Sequence, residues 1–240
     1  MTRQDWASSF FDDGYEETFR RLGKYDTTDA DVDAILALTK LPVGSRVLDV
    51  PCGWGRHTGR LHKLGYDAVG VDSSPAQISL AHQRWPSVTF HLNDMRDIPS
   101  GPFDAVFNLW TSFGSLPTAS EDLDALRAWK SGLAPGGVLV MELTTYENAA
   151  RTNEAHGQPN GYKSVTVNDV REDAVFDWDN GVSRNTYTRG DWTRTCITRL
   201  YRRPALRDLL HRAGFRAVEM YGSFGGDEID DTRRTVLIAR

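Results

Sequence analysis

Apolar positions along this chain change period as it proceeds. Between Asp29 and Leu38 they fall at Val32, Ile35, Leu36 and Leu38, a helical spacing, with Thr28 placed to cap the run and Leu41-Pro42-Val43-Gly44 to close it. Short, mainly apolar runs follow at 46–50, 68–71, 88–90, 103–109 and 138–143. Amphipathic stretches separate them: one carrying Leu61 and Leu64 and ended by Gly65, one at 75–84 and one at 120–134. Runs of this kind suit strands buried on both faces, and the intervening helices supply parallel crossovers. After a helix at 204–213, runs at 215–221 and 234–238 bring the expected strand count to seven. The expected fold class is α/β, a doubly wound, mainly parallel sheet with ligands outside the carboxyl ends of its strands.

Residues 144–203 break the rhythm. Segments 164–168, 174–178, 183–188 and 195–201 predict short antiparallel strands, with Asp177-Trp-Asp-Asn-Gly181 as a hairpin turn. We read 1–240 as one domain, with a helical lid or entrance segment over 1–40 and an antiparallel substrate cover over 144–203.

Composition narrows the picture. A chain of 240 residues that is 40% hydrophobic and 25% charged can bury a core without disulfides or a structural metal. A formal charge of -5 offers no general attraction to phosphate backbones or anionic membranes, so neither nucleic acid nor membrane is an expected partner; homo-oligomerisation stays open. The amino-terminal segment lacks a secretory leader, and no segment approaches the roughly 20 apolar residues of a membrane span. Cytoplasm is the expected location. The only cysteines, Cys52 and Cys196, suit a reducing compartment and cannot form a cysteine-rich zinc site.

Candidate chemistry begins at VLDVPCGWGRHTG, residues 47–59. A strand delivers Asp49 to its carboxyl end, and Gly53 and Gly55 let the next loop turn tightly beside a ligand. Asp72 ends a second strand, where its two oxygens can accept from a ribose diol. Asp94 follows the third strand with Met95 beside it, placed for an adenine amine and ring. A dinucleotide turn around Gly53 and Gly55 is the competing reading; it must seat a pyrophosphate at the helix start, whereas the three carboxylates suit a cationic, phosphate-free nucleoside.

VLDVPCGWG, AVGVDSS (68–74), LNDMRDIP (92–99), FDAVFNLWTSFG (103–114) and LAPGGVLVMEL (133–143), in that order, resemble the class I S-adenosylmethionine-dependent methyltransferases, specifically small-molecule N-methyltransferases. The resemblance implies their seven-stranded sheet, S-adenosylmethionine as cofactor and S-adenosylhomocysteine as product. It assigns Asp49 and the Gly53/Gly55 loop to the methionine end, Asp72 to the ribose, and Asp94 and Met95 to the adenine region, with Pro51, Ser73 and Leu109 as further cofactor contacts. Pro51 departs from the pattern by replacing its first glycine, which removes an amide donor.

Asn108, Trp110, Glu142 and Arg199 are candidate substrate contacts, the last two for an amine cation and a carboxylate respectively. GYEETFRRLGKY (14–25) resembles the tyrosine-bearing entrance segment of some N-methyltransferases, which implies that Tyr15 and Tyr25 close over an amine while Phe113 meets it from the sheet side. An amine-bearing small molecule is the expected substrate. O-methylation is the nearest alternative and requires a base, for which His57, Glu142 and His211 are candidates; a noncatalytic S-adenosylmethionine-binding protein is the other. No metal-specific spacing occurs, and 227–231 reads as a solvated acidic turn.

Overall fold

The computed structural model describes residues 6–155 and 161–240. Helices α1 (Trp6–Phe10), α2 (Asp13–Arg21) and α3 (Thr28–Thr39) precede β1 (Arg46–Asp49), α4 (Arg56–Lys63), β2 (Asp67–Asp72), α5 (Pro75–Arg84) and β3 (Thr89–Leu92). The chain continues through β4 (Phe103–Asn108), α6 (Ala119–Gly132), β5 (Leu133–Leu143) and α7 (Tyr146–Ala155). Strands β6 (Tyr162–Val167), β7 (Val170–Asp177), β8 (Val182–Arg189) and β9 (Trp192–Arg199) follow, then α8 (Arg203–Arg212), β10 (Val218–Tyr221) and β11 (Thr235–Ala239).

The main sheet has the order β3-β2-β1-β4-β5-β11-β10. Its neighbours are parallel except where β11 lies antiparallel to β5 and β10. This is the doubly wound, mainly parallel arrangement read from the apolar runs. Chain direction across the sheet reverses between β1 and β4, so the loops leaving their carboxyl ends diverge and open a crevice.

Successive strand residues feed opposite layers, which is why the middles of the central strands are apolar on both faces. Leu48 and Val106 pack with Trp129 of α6 and Leu206 and Leu210 of α8. Val47, Ala105 and Phe107 pack on the other face with Ile35 of α3 and Leu61 of α4. Helix α6 starts on a reciprocal Thr118–Glu121 capping box, and α5 on Ser74, whose hydroxyl accepts from the Gln77 amide, with Pro75 in its first turn. Thr28 does not cap α3: Thr27 holds the cap position, while the Thr28 hydroxyl donates to the Tyr25 carbonyl and accepts from Arg56.

The second sheet is antiparallel in the order β6-β7-β8-β9. Each expected strand overlaps a longer observed one, although 164–168, 174–178 and 195–201 overrun its carboxyl end by one or two residues, and the segment opens with α7, a helix absent from the sequence reading. Asn148 secures that helix: its Oδ1 accepts from the Thr145 amide and hydroxyl, and its Nδ2 donates to the Arg233 carbonyl.

Helices α1 and α2 dock on this sheet, with Trp6, Phe10 and Phe19 sharing an apolar cluster with Val170, Tyr187 and Ile197. Asp12 joins the two units, accepting from Trp192 Nε1 at 2.8 Å and pairing with Arg194 at 2.6 Å. The amino-terminal helices and the second sheet are therefore held together beside the crevice.

Candidate active site

A cavity of about 720 Å³ lies between the loops after β1, β2, β3 and β4, helices α1 and α2, and the inner face of β7 to β9. Its sheet side is built by the glycine loop. Gly53 and Gly55 have φ of 56° and 78°, left-handed values that a side chain resists. A Cβ on Gly55 would also come within 2.7 Å of the Phe90 ring. The loop closes onto β2: the Gly53 amide donates to Asp72 Oδ2 at 2.8 Å, and the Ser74 amide to Asp72 Oδ1 at 2.9 Å.

Asp72 is buried at the cavity wall, and desolvation raises its pKa against the opposing help of the loop amides. Asp94 faces the same space. Burial opposes its ionisation, yet Arg96, bonded to both of its oxygens, holds the carboxyl below the usual range; Arg96 also pairs with Glu121 at 2.7 Å. Pro51, Ser73, Met95 and Leu109 line the cavity beside these carboxylates.

Asp49 sits one layer back. Thr58 donates to its Oδ2 at 2.7 Å, while Oδ1 is buried without a hydrogen-bond partner. Desolvation pushes its pKa up from 3.8 to about 7. Below pH ~4 the carboxyl is protonated folded and unfolded alike; between pH ~4 and ~7 only the unfolded chain ionises, so stability falls as pH rises through that window. Asp49→Asn is expected to flatten this fall. Denaturant midpoints of wild type and variant across pH 4–8 check it, and parallel profiles would contradict it.

The opposite wall is aromatic. Tyr15 stacks near Phe19 with ring centroids 4.5 Å apart, and Tyr25 lies 5.4 Å from Trp54 and 5.9 Å from Trp110. Burial raises both tyrosine pKa values, so the phenols stay protonated at neutral pH. Arg56, the first residue of α4, is buried among these rings, 4.2 Å from the Trp110 centroid and 5.3 Å from that of Tyr25, and donates to the Thr28 hydroxyl.

Trp110 and Thr111 adopt φ of 65° and 58°, each costing about 1–3 kcal/mol in a residue with a Cβ. Glu142 supports this strained turn. Its carboxylate accepts from the Trp110 amide at 3.0 Å and pairs with Arg234 at 3.2 Å, and its carbonyl accepts from the Thr111 amide.

Several expected contacts are therefore placed elsewhere. Glu142 is spent on the Trp110 turn and Arg234. Asn108 is fully buried and donates to the Val50 carbonyl at 2.7 Å, tying β4 to the glycine loop. Arg199 is bonded to the buried Asp122 and to the Pro117 carbonyl. Phe113 is 1% exposed in the core, 5.4 Å from Tyr201 and 6.0 Å from Trp129, because the chain turns inward after Ser112. Gly55 shapes the loop from behind the cavity surface.

His57 lines the cavity, but burial and then Arg56 depress its pKa, making it a weak proton acceptor. His211 is on α8, its Nδ1 facing the Phe215 carbonyl. Cavity residues not anticipated include Trp54, Arg56, Glu172, Asn185 and Arg234. Trp54, inside the glycine loop, and Arg56, directly after it at a helix start, had a local signal.

A family profile described as "Methyltransferase domain" matches residues 47–137. Over 131 residues the chain is 35% identical to dTDP-3-amino-3,4,6-trideoxy-alpha-D-glucopyranose N,N-dimethyltransferase of Streptomyces venezuelae, covering 54% of this chain and 55% of that protein. The chain thus spans about half the length of that relative. It is 25% identical to the glycine/sarcosine N-methyltransferase of Halorhodospira halochloris over 88% of this chain and 81% of that one. Among solved structures, S-adenosylmethionine-bound CalS10, an amino pentose methyltransferase from Micromonospora echinaspora, superposes with a TM-score of 0.68 at 25% identity, covering 94% and 96% of the two chains. These likenesses agree with the sheet order and the glycine loop.

The chain resembles the class I S-adenosylmethionine-dependent methyltransferases, with a match to their domain over residues 47–137. S-adenosylmethionine is the cofactor of that family, and this chain has a chemically matching site. Asp49 Oδ1 is a buried acceptor without a partner, Asp72 keeps lone pairs beyond its two amide bonds, and aromatic rings face them across the cavity. Among the described residues no three His, Cys, Asp or Glu side chains converge as a metal site, and no helix is long and apolar enough to cross a membrane.

Proposed function

We propose that the chain transfers a methyl group from S-adenosylmethionine to an amine nitrogen of a small metabolite, directly and without a metal ion, releasing S-adenosylhomocysteine. The observation that carries this reading is one cavity with the carboxylates of buried Asp72 and part-exposed Asp94 on the sheet side and neutral tyrosines and tryptophans on the other. Asp72 and Ser73 would hold the ribose, Asp94, Met95 and Leu109 the adenine, and the Pro51–Gly53 loop with Asp49 behind it the methionine end. Bound there, the cofactor supplies an activated methyl group on a sulfonium.

The chain's own task is to hold an amine in line and exclude water. Tyr15, Tyr25 and Trp110 do this by shape, and the Tyr25 hydroxyl oxygen accepts an N–H of the amine, which orients the nitrogen and leaves its lone pair free for the methyl group. An amine needs no strong base once neutral, which favours N- over O-transfer where an imidazole lining the cavity, His57, is a weak proton acceptor. Relatives named as sugar and glycine/sarcosine N-methyltransferases support the same choice. Cytoplasm remains the proposed location, consistent with two free cysteines.

Tyr25→Phe is expected to slow turnover about 3- to 10-fold, the worth of one hydrogen bond, with the Kd for S-adenosylmethionine unchanged within about twofold. Release of S-adenosylhomocysteine measured beside calorimetric titration separates the two. Unchanged turnover would leave Tyr25 only a ring closing the cavity, and an equal loss in cofactor affinity would move it to the cofactor side.

A further inference from the structure

The inner face of the four-stranded sheet carries a polar group that the reading above does not use. Alternation along β7 and β8 turns Glu172, Ala174, Phe176, Asn185 and Tyr187 toward the cavity. Register sets Glu172 opposite Tyr187 and Ala174 opposite Asn185, so the three polar residues meet on one patch. The Tyr187 hydroxyl donates to Glu172 Oε1 at 3.0 Å, and Asn185 Nδ2 reaches the same oxygen at 3.4 Å. Asn185 Oδ1 is left buried without a partner. Among the described residues no Lys or Arg forms an ion pair with Glu172, although Lys163 lines the same cavity.

We infer that Glu172, Asn185 and Tyr187 form the seat that binds the substrate amine as its ammonium cation. A part-buried carboxylate lacking a cation and a buried carbonyl lacking a donor are both costly unless a guest completes them. An ammonium presents up to three N–H donors and a positive charge, matching Glu172, the Asn185 carbonyl and the Tyr187 oxygen; an alcohol presents one donor and no charge. The preferred substrate class is therefore an amine that is protonated in solution. Glu172 is also the acceptor for the proton the ammonium gives up as its nitrogen lone pair is freed.

This inference rests on amine methylation as the reaction, and its test reads binding apart from turnover. Benzylamine and its neutral counterpart benzyl alcohol are titrated into protein saturated with S-adenosylhomocysteine. Wild type is expected to favour benzylamine at least tenfold. Glu172→Gln, which keeps the shape and removes the charge, is expected to erase that preference, with Glu172→Asp restoring part of it and S-adenosylhomocysteine affinity unchanged in both. No preference in wild type, absence of benzylamine binding at millimolar concentration, or a preference that survives Glu172→Gln overturns the seat. The underlying reaction is judged separately from products: N-methylation undiminished in Glu172→Gln would keep the reaction and overturn the seat, whereas Glu172-dependent amine binding with methylation only on oxygen would keep the seat and overturn the reaction.

Discussion

Replacing Asp72 by Asn is expected to weaken S-adenosylmethionine binding by about 100-fold or more. Asp72 already accepts the Gly53 and Ser74 amides on separate oxygens, and the ribose hydroxyls would take the remaining lone pairs. Hydrogen bonds to a charged acceptor contribute about 1.5–3 kcal/mol each, and a hundredfold loss corresponds to about 2.7 kcal/mol. The amide of Asn turns an N–H₂ toward one of the two backbone donors, so the glycine loop loses its tether as the charge is lost. Calorimetric titration of the folded variant checks this. Affinity within threefold of wild type would remove Asp72 from the cofactor site.

Phe113→Ala is expected to act on stability, lowering it by about 3–5 kcal/mol, the usual cost of emptying a buried phenylalanine site. Its ring fills the space between Trp129, Tyr201 and the sheet, away from the cavity surface. Denaturant melts should show the loss, and protein that remains folded at low temperature should keep its S-adenosylmethionine affinity. A variant with wild-type stability and lost turnover would return Phe113 to the substrate wall.

The main sheet was legible because its strands are buried on both faces and leave continuous apolar runs, as Val47-Leu48 and Ala105-Val106-Phe107 do. Helix α7 escaped notice because its stability comes from Asn148 and the distant Arg233 and Thr235, contacts that no local period encodes. In the site, residues at strand ends were legible: Pro51, Gly53, Asp72, Asp94, Met95 and Trp110 all reach the cavity because a parallel sheet aims the loops after its strands at one edge.

What the spacing could not convey was direction within a loop. Phe113 follows Trp110 by three positions, yet the turn supported by Glu142 sends one toward the cavity and the other into the core. Charge was equally ambiguous. Arg199 and Glu142 looked available as single residues, and only folding supplies the partners, Asp122 and Arg234, that occupy them. Glu172 and Asn185 were hidden for the opposite reason: which face of a hairpin turns inward depends on register and docking.

The central claim is methyl transfer to nitrogen, and locating the transferred methyl tests it most directly. Metal-stripped protein is incubated with S-adenosylmethionine labelled with ¹³C in its methyl group and a panel of small molecules bearing both amine and hydroxyl groups. Products are then assigned by the ¹³C shift and by mass spectrometry. The account predicts label on amine nitrogen, formed at the same rate with and without chelator; label confined to oxygen across the panel would contradict it.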